Sequence, residues 1–463
     1  MKFSTAASLG LAAAQTASAR YVLYVDQYHL TELPNKTMAA GVTDVIMAFA
    51  NSSLFTTSPP GEYTPFEPVE TMRARFDPGV KVSIAIGGWG DTAGFSEGAK
   101  TEESRALYAA NVADMLDKLG YDGVDCDWEF PAGNGEDYKR NPNSGKVDEI
   151  QTYPLLLKAI KEAIGDKELS LAVPGKRVDM IAYTPEQSPA IWESSDFVNI
   201  MTYDLMNRRD NVTMHHTSVK DSKDVVDYYL DVLGLPAEKT NLGFAFYAKY
   251  FTTDSASPCE TGLGCKTVLL ENPTDGSDTG KSGAMTFEKE NYATAAANLT
   301  ESPDGSCGAA VGHFCSAGNC CSSSGFCGNT PGHCGINCLS DYSVCPQLSV
   351  TALFRDAMAN GKADTVEGGQ YYYDAANNIF WTWDTPEFIA QKFETIIKAR
   401  GLGGAMAWSG GEDSHDWSHL AAIQKGVADL GLSGQTGATS DDEECENDDE
   451  PEVEKRSFRS FKA

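Results

Sequence analysis

Residues 121–131 read YDGVDCDWEFP and place four acids in eight residues, Asp122, Asp125, Asp127 and Glu129. The residues between them, Gly123, Val124, Cys126 and Trp128, are small or apolar and suit a buried strand better than a solvated loop. Successive side chains of a strand point to opposite faces, so Asp125, Asp127 and Glu129 are expected to share one face. Carboxylates packed together repel one another, and burial disfavours charge on each. Such a row costs stability, and function is the compensation it points to.

Plainer readings compete with that one. A solvated charged face does not alternate with Val, Cys, Trp and Phe. A calcium loop needs oxygen ligands on a flexible turn with a central Gly and a distal Glu, which is not the spacing here. A metal held by strand carboxylates stays open. The sharper reading is acid–base work on a glycosidic bond, which requires a carboxylic acid still protonated at the working pH.

Outward from this stretch, eight short apolar runs read as strands: 21–26, 45–51, 81–88, 123–130, 169–174, 197–204, 242–247 and 404–408. Amphipathic stretches such as 103–119, 150–164 and 225–233 lie between them. Strand and helix in alternation argue for a parallel sheet, and eight repeats for an α/β fold of the (β/α)8, or TIM, barrel type. Active residues of such barrels sit at the carboxyl ends of strands, where Glu129 is expected.

Composition narrows the partners. The 463 residues are 41% hydrophobic and 10% aromatic, enough for a large core and for two or three domains. Against 36 Lys and Arg stand 66 acids, a formal net charge of -30. That charge argues against nucleic acid and membrane surfaces as partners and is compatible with a neutral polysaccharide. Residues 1–19 carry Lys2, an Ala- and Leu-rich core and Ala17-Ser18-Ala19, the pattern of a secretory signal. No later apolar run is long enough to span a bilayer. Sequons begin at Asn35, Asn51, Asn211 and Asn298, in keeping with a secreted, extracellular protein.

The acids of 122–129 fill every position of D-x-x-D-x-D-x-E, and the segment resembles the signature of glycoside hydrolase family 18, the chitinases of fungal type and their relatives. Other strand ends carry the resemblance further, over roughly 20–432. KVSIAIGGW, 81–89, resembles the third-strand S-x-G-G with Ala85 in place of Ser, and its Gly87-Gly88 could equally reflect tight packing. Met201-Thr202-Tyr203-Asp204 resembles the sixth-strand M-x-Y-D. Phe246-Tyr247-Ala248-Lys249 resembles F-Y-G-R with Ala and Lys substituted, and Lys cannot reproduce an Arg fork. Gly404–Trp408 resembles the eighth strand, whose Trp floors the sugar site. The resemblance implies Glu129, Asp127, Asp125 and Tyr203 as catalytic residues, and Asp204, Trp408, Trp89, Tyr247 and Met201 as substrate-binding ones.

A long interruption, 251–370, is expected to be the family's α+β insertion after the seventh strand, closing through YYYDAANNIFWTWDTP at 371–386. Those aromatics suit sugar stacking and core filling equally. Within the insertion, Cys307, Cys315, Cys320, Cys321, Cys327, Cys334, Cys338 and Cys345 fall within 39 residues. Such density means a disulfide-stapled module in an oxidising compartment. Its pattern at 306–346 resembles the hevein-like chitin-binding modules of carbohydrate-binding family 18. That resemblance implies the pairs Cys307–Cys321, Cys315–Cys327, Cys320–Cys334 and Cys338–Cys345, with sugar contacts at Ser322, Ser324, Phe326 and His333. Cys259 and Cys265, close in sequence, are expected to pair. Cys126 faces away from the acids as a buried thiol, and Cys445 has no evident partner. Residues 433–463 form an acidic tail expected to be disordered, with a dibasic Lys455-Arg456.

The expectation is therefore a secreted endo-acting chitinase, with chitin and chito-oligosaccharides as partners, monomeric, and needing no metal or cofactor. The family implies a retaining, substrate-assisted reaction: Glu129 as acid and then base, Asp127 holding the substrate acetamido group, Asp125 sharing a proton with Asp127. Two alternatives remain, a non-catalytic chitin lectin and an endo-β-N-acetylglucosaminidase acting on N-glycans.

Overall fold

A barrel stave is buried on both faces, and the third strand, Lys81–Gly87, shows how the sequence meets that demand. Val82, Ile84 and Ile86 pack outward beneath the helices, while Ala85 faces the interior with Val22, Tyr24, Ile46 and Met406. The computed structural model describes residues 20–431 except 258, 293–296, 310, 323, 336–337 and 347–348. The signal expected at 1–19, the acidic tail at 433–463, Cys445 and Lys455-Arg456 lie outside the described residues.

Eight parallel strands close the barrel: Arg20–Asp26, Asp44–Ala50, Lys81–Gly87, Gly123–Asp127, Glu168–Val173, Phe197–Ile200, Thr240–Ala245 and Gly404–Trp408. Each pairs with the next, and the eighth closes on the first with Arg20 opposite Gly404 and Leu23 opposite Ala407. The fold is thus the expected (β/α)8 barrel. Helix Glu102–Leu119 starts at a reciprocal cap between Thr101 and Ser104 and stops at Gly120, whose φ of 81° suits a residue without a Cβ. Helix Glu149–Ile164 buries Tyr153, Leu156, Leu157 and Ile160, a helical stripe against the sheet. The helix expected at 225–233 is longer, Val219–Asp231, because Ser218 caps it earlier by accepting from the Asp221 N–H at 2.9 Å.

Two strands are shorter than the sequence suggests. The fourth ends at Asp127 rather than 130, and the sixth at Ile200 rather than 204. Their ladders stop there: the last pairs are Gly87 with Asp127 on one side of the fourth strand and Cys126 with Leu171 on the other. Glu129 is consequently beyond the strand, on the barrel rim, while Asp125 and Asp127 belong to it.

The chain leaves the seventh strand directly into Tyr247–Thr252, the fourth member of a five-stranded antiparallel sheet. The others are Lys362–Asp364, Gly369–Asp374, Ile379–Trp383 and Ser282–Thr286. This sheet reaches beyond 251–370 at both ends, because its entering and leaving strands pair with each other. Phe380, Trp381 and Trp383 are buried in the core, so these aromatics of the closing segment serve packing.

Among the described residues five disulfides form: Cys259–Cys265, Cys307–Cys321, Cys315–Cys327, Cys320–Cys334 and Cys338–Cys345. They join the same partners as the sequence reading. The last four staple a segment whose own apolar cluster is small, namely Cys307, Cys315, Cys321 and Tyr342 with a few half-buried neighbours. Among the described residues no helix is long and apolar enough to cross a membrane.

Candidate active site

At the carboxyl ends of the strands the barrel opens into a cleft of about 790 Å³. Asp125 lies deepest and is fully buried. Its Oδ2 accepts from the Tyr24 hydroxyl at 2.8 Å and its Oδ1 from Ser170 at 2.6 Å. Tyr24 in turn accepts from the Asn199 amide at 3.1 Å, Asn199 from Asn241 at 2.9 Å, and Asn241 from Arg20 Nε at 3.3 Å. A polar line thus climbs the barrel axis from its base to the acid row. Burial dominates all the same, and Asp125 is raised to about 6.

Asp127, 4% exposed, follows two residues on along the same face. Its Oδ1 is buried with no hydrogen-bond partner. Burial, then the charges of Glu129 and Asp125, hold its carboxyl well above the ordinary range. Glu129 is half-buried at the cleft floor. Burial first, then Asp204 and Asp179, push it up to about 8 against the opposing pull of Arg209. No direct hydrogen bond joins Asp125 to Asp127 among the described residues. Both Asp125 oxygens are already taken by hydroxyls, one from the fifth strand, where Ser170 supplies what Ala85 lacks on the third. Cys126, between the two acids in sequence, packs outward as a buried free thiol. The motif's first acid, Asp122, lies before the strand begins and accepts from the Val82 N–H at 2.8 Å and from Arg73 at 2.5 Å. It pins the entry of the strand and stands apart from the chemistry.

The remaining predicted residues come to the same cleft. Tyr203 is buried beside the acids, and burial followed by Asp127 and Glu129 raises its hydroxyl. Asp204 adopts φ 52° where the chain turns out of the sixth strand. Its carboxylate accepts from Tyr247 at 2.9 Å and from Lys249 at 3.0 Å. Burial opposes its charge, but Lys249 and His216 overcome that and hold it well below the ordinary range. Trp408 lines the cleft with Phe49 stacked 5.5 Å away, and Met201 completes that wall. Trp89 projects from the third strand's end, half exposed, with the Arg209 guanidinium 5.4 Å from its ring.

Gly87 and Gly88 are there for close approach. A Cβ at Gly87, where φ is 107°, would fall 2.2 Å from the Asp127 carbonyl oxygen, and one at Gly88 would fall 2.8 Å from the Phe49 ring. The Gly88 N–H donates to that same Asp127 oxygen at 2.9 Å. Tight packing is therefore what these glycines provide, and it seats the acids.

Among the described residues, none of the stapled segment lines the cleft. There Phe326 is 60% exposed and Ser324 is exposed beside it. Ser322 departs from the expected sugar-contacting role: it is buried, and its hydroxyl donates to the Phe326 carbonyl at 3.2 Å, closing the turn. His333 is half-buried, its Nδ1 2.7 Å from the Thr330 hydroxyl.

Tyr24, Ser170, Asn199, His216 and Arg209 escaped the sequence reading, which named Lys249 only as a replacement for Arg. Polar residues at inward positions of otherwise apolar strands were the available signal for the first three.

The profile of the glycosyl hydrolases family 18 matches residues 20–413. Chitinase A1 of Niallia circulans is 31% identical over 196 residues, 37% of this chain and 27% of that protein. Endochitinase 1 of Metarhizium robertsii is 24% identical over 347 residues, 72% of this chain and 62% of that protein. Chitotriosidase-1 of Mus musculus is 30% identical over 244 residues, 48% of this chain and 50% of that protein. The chain thus spans less than two thirds of the length of these curated relatives. Catalytic domain 2 of the Ostrinia furnacalis Group II chitinase superposes with TM-score 0.61 at 19% identity, covering 89% of this chain and 97% of that one. A family 18 N-acetylglucosaminidase from Paenibacillus barengoltzii gives 0.58 at 20% identity, covering 88% and 99%. At those identities the likeness is one of fold.

Proposed function

The chain belongs to the glycosyl hydrolases of family 18, and from that premise we propose that it hydrolyses the β-1,4 bonds of chitin with retention of configuration. The observation that carries this reading is the acid row itself. Asp125 is saturated with hydrogen bonds, Asp127 holds a buried unpartnered oxygen, and Glu129 stands at the cleft floor with its proton held to about 8. A buried acceptor without a donor costs about 1–3 kcal/mol, and a substrate N–H that reaches it relieves that cost.

The roles follow. Glu129 protonates the glycosidic oxygen as general acid. The acetamido oxygen of the sugar on the non-reducing side of the cut attacks its own anomeric carbon, and the leaving sugar takes the Glu129 proton. Asp127 accepts the acetamido N–H and offsets the positive charge of the resulting oxazolinium. Glu129, now ionised, takes a proton from water, which opens the ring. Asp204 does not serve as a protein nucleophile, because both its oxygens already accept from Tyr247 and Lys249. Tyr203 positions the acetamido group, and Trp408, Met201, Tyr247 and Trp89 shape the subsites. This chemistry draws on no metal or cofactor.

The stapled segment at 306–346 is proposed as a separate chitin-adsorbing unit. Support comes from the exposed Phe326 and Ser324 on a small disulfide-held surface. Five disulfides and the pattern at 1–19 support secretion into an oxidising compartment.

Proton NMR of fresh products tests the mechanism. Chitotetraose should release the β-anomer first, and cello-oligomers should not be cleaved. Partly deacetylated chitin should yield only N-acetylglucosamine at new reducing ends. Glucosamine at those ends, or α-anomer formed first, overturns substrate assistance.

A further inference from the structure

Arg209 lines the cleft but takes no part in the hydrolytic steps. It stands on the turn that follows Asp204, and that turn is braced on its own account. Asn207 Oδ1 accepts from the Arg209 N–H at 3.0 Å, while Asp210 Oδ2 accepts from the Asn207 N–H at 2.8 Å and from Lys176 at 2.5 Å. From this turn the guanidinium reaches across to the loop that follows Glu129. Its Nη1 donates to the Asn134 carbonyl at 2.7 Å and its Nη2 to the Gly135 carbonyl at 2.9 Å. The Tyr138 ring lies 4.2 Å from the guanidinium carbon and the Trp89 ring 5.4 Å from it.

The gripped loop is one that needs holding. Ala132, Gly133 and Asn134 run consecutively at φ of 68°, 145° and 56°, and residues with a Cβ hold such angles only where their surroundings fix them. Gly135 packs so closely on the acid that a Cβ there would fall 2.8 Å from the Glu129 carbonyl oxygen. A shift of the loop therefore reaches Glu129 directly. Two carbonyls on adjacent residues take the paired N–H groups of a guanidinium, a fixed fork that an ammonium cannot reproduce.

Ion pairing does not explain where Arg209 points. Asp179 is 3.8 Å from its Nη1 and Glu271 3.6 Å from its Nε, both beyond hydrogen-bond length. Glu271 is already taken by Lys139 at 2.5 Å and by the Tyr138 hydroxyl at 2.7 Å, with Arg208 3.6 Å away. The acids Asp204 and Asp179 act on Glu129 and favour its neutral form, Asp127 is charge-coupled to it, and Arg209 pulls the other way.

On the reading of Glu129 as the general acid, we propose that Arg209 is the positioning residue of that acid, its forked guanidinium fixing the loop on which the Glu129 backbone rests. Its charge adds a second effect: an acid held too weak gives up its proton slowly, and the cation opposes that. Arg209 acts through Glu129 and not on the reacting atoms.

Turnover of chitotetraose by the parent, Arg209→Lys and Arg209→Gln, followed from about pH 4 to 10, tests this. At the optimum kcat should fall about tenfold in both variants, because neither side chain makes the fork. The alkaline limb of kcat/KM should move to higher pH in Arg209→Gln, where the positive charge is gone, and less in Arg209→Lys, which keeps it. A residue that only stabilised the fold would leave the limb in place in the folded fraction. Arg209→Lys retains a packing stem and a charge, so its kcat decides even if Arg209→Gln does not fold. Parent-like kcat in folded Arg209→Lys overturns the proposal, and so does an unmoved limb in folded Arg209→Gln. Glu129→Gln separates this from the assignment it rests on. Turnover retained in Glu129→Gln removes the general acid itself, whereas an inactive Glu129→Gln beside parent-like Arg209 variants removes only the role of Arg209.

Discussion

Glu129 must remain an acid at a pH where an ordinary glutamate has ionised, and its surroundings arrange that. Burial raises it to about 8 and Asp125 to about 6, and burial with the neighbouring acids also holds Asp127 well above the ordinary range, so the three titrate as a coupled set. Activity should be highest in mildly acidic solution and fall as pH rises through the upper value. A rate profile flat to about pH 9 would contradict a carboxylic general acid. Glu129→Gln keeps the shape and loses the proton, so turnover on chitotetraose should drop about 100-fold or more while oligomer binding survives. Stability falls with rising pH as well. A carboxyl with a raised folded-state pKa stabilises the fold below its unfolded value and withdraws that contribution as pH climbs to the folded one. The melting temperature of Glu129→Gln relative to the parent should therefore increase between about pH 4.5 and 8. An offset independent of pH would place the ionisation elsewhere. At this scale the acids were legible in the sequence, because four at fixed spacing on an apolar strand leave few other uses. Their partners were not: nothing local to Asp125 marks Tyr24 or Ser170 as the hydroxyls that hold it.

At the scale of the element, the acid row depends on how the third strand ends. Gly87→Ala would drive a methyl group to 2.2 Å from the Asp127 carbonyl oxygen and 2.7 Å from the Phe95 ring, at a φ that L residues avoid. Destabilisation of about 1–3 kcal/mol is expected, together with a larger fractional loss of kcat/KM than of folded protein, since Asp127 must move. Gly145→Ala, where a Cβ meets nothing within 4 Å, is the neutral control. Denaturant midpoints and kinetics on both variants check this, and equal effects would remove Gly87 from the positioning of the acids. The expected strands were found at every stave. The fourth and sixth overran because Trp128, Phe130, Met201 and Tyr203 continue the apolar pattern past the last ladder pair, where they line core or cleft instead.

For the whole molecule, cleft and stapled segment are separate surfaces on one chain. Deleting 306–346 should lower adsorption to insoluble chitin and leave hydrolysis of soluble tetramer intact. The drop should be modest, because Phe326 is the one exposed ring among the mapped positions. Phe326→Ala should reproduce most of it, roughly two- to tenfold if a sugar face is worth as much as an aromatic partner. Unchanged adsorption in both would mean that this surface binds something else. The partners of the eight clustered cysteines were read through the hevein-like resemblance, because spacing alone leaves their connectivity open. The insertion's sheet is closed by Tyr247–Thr252, which starts before 251, and by Ile379–Trp383, which falls in the closing segment expected at 371–386.

By itself the sequence carried the barrel and the acid row, while the family resemblance supplied the disulfide partners and part of the cleft. The barrel and the acid row are written in short-range spacing: period two along strands, helix between staves and acids at alternate positions of one stave. Only the tertiary structure decided which side chains answer the acids. Ser170 reaches Asp125 across 45 residues, Asn199 reaches Tyr24 across 175, and Lys249 reaches Asp204 across 45. Ser409 meets Asp26 across 383. Such pairs depend on which staves become neighbours and where the closed barrel brings the first strand against the last. Local periodicity carries no record of that closure, because the strands' relative stagger is fixed only when the sheet returns to itself.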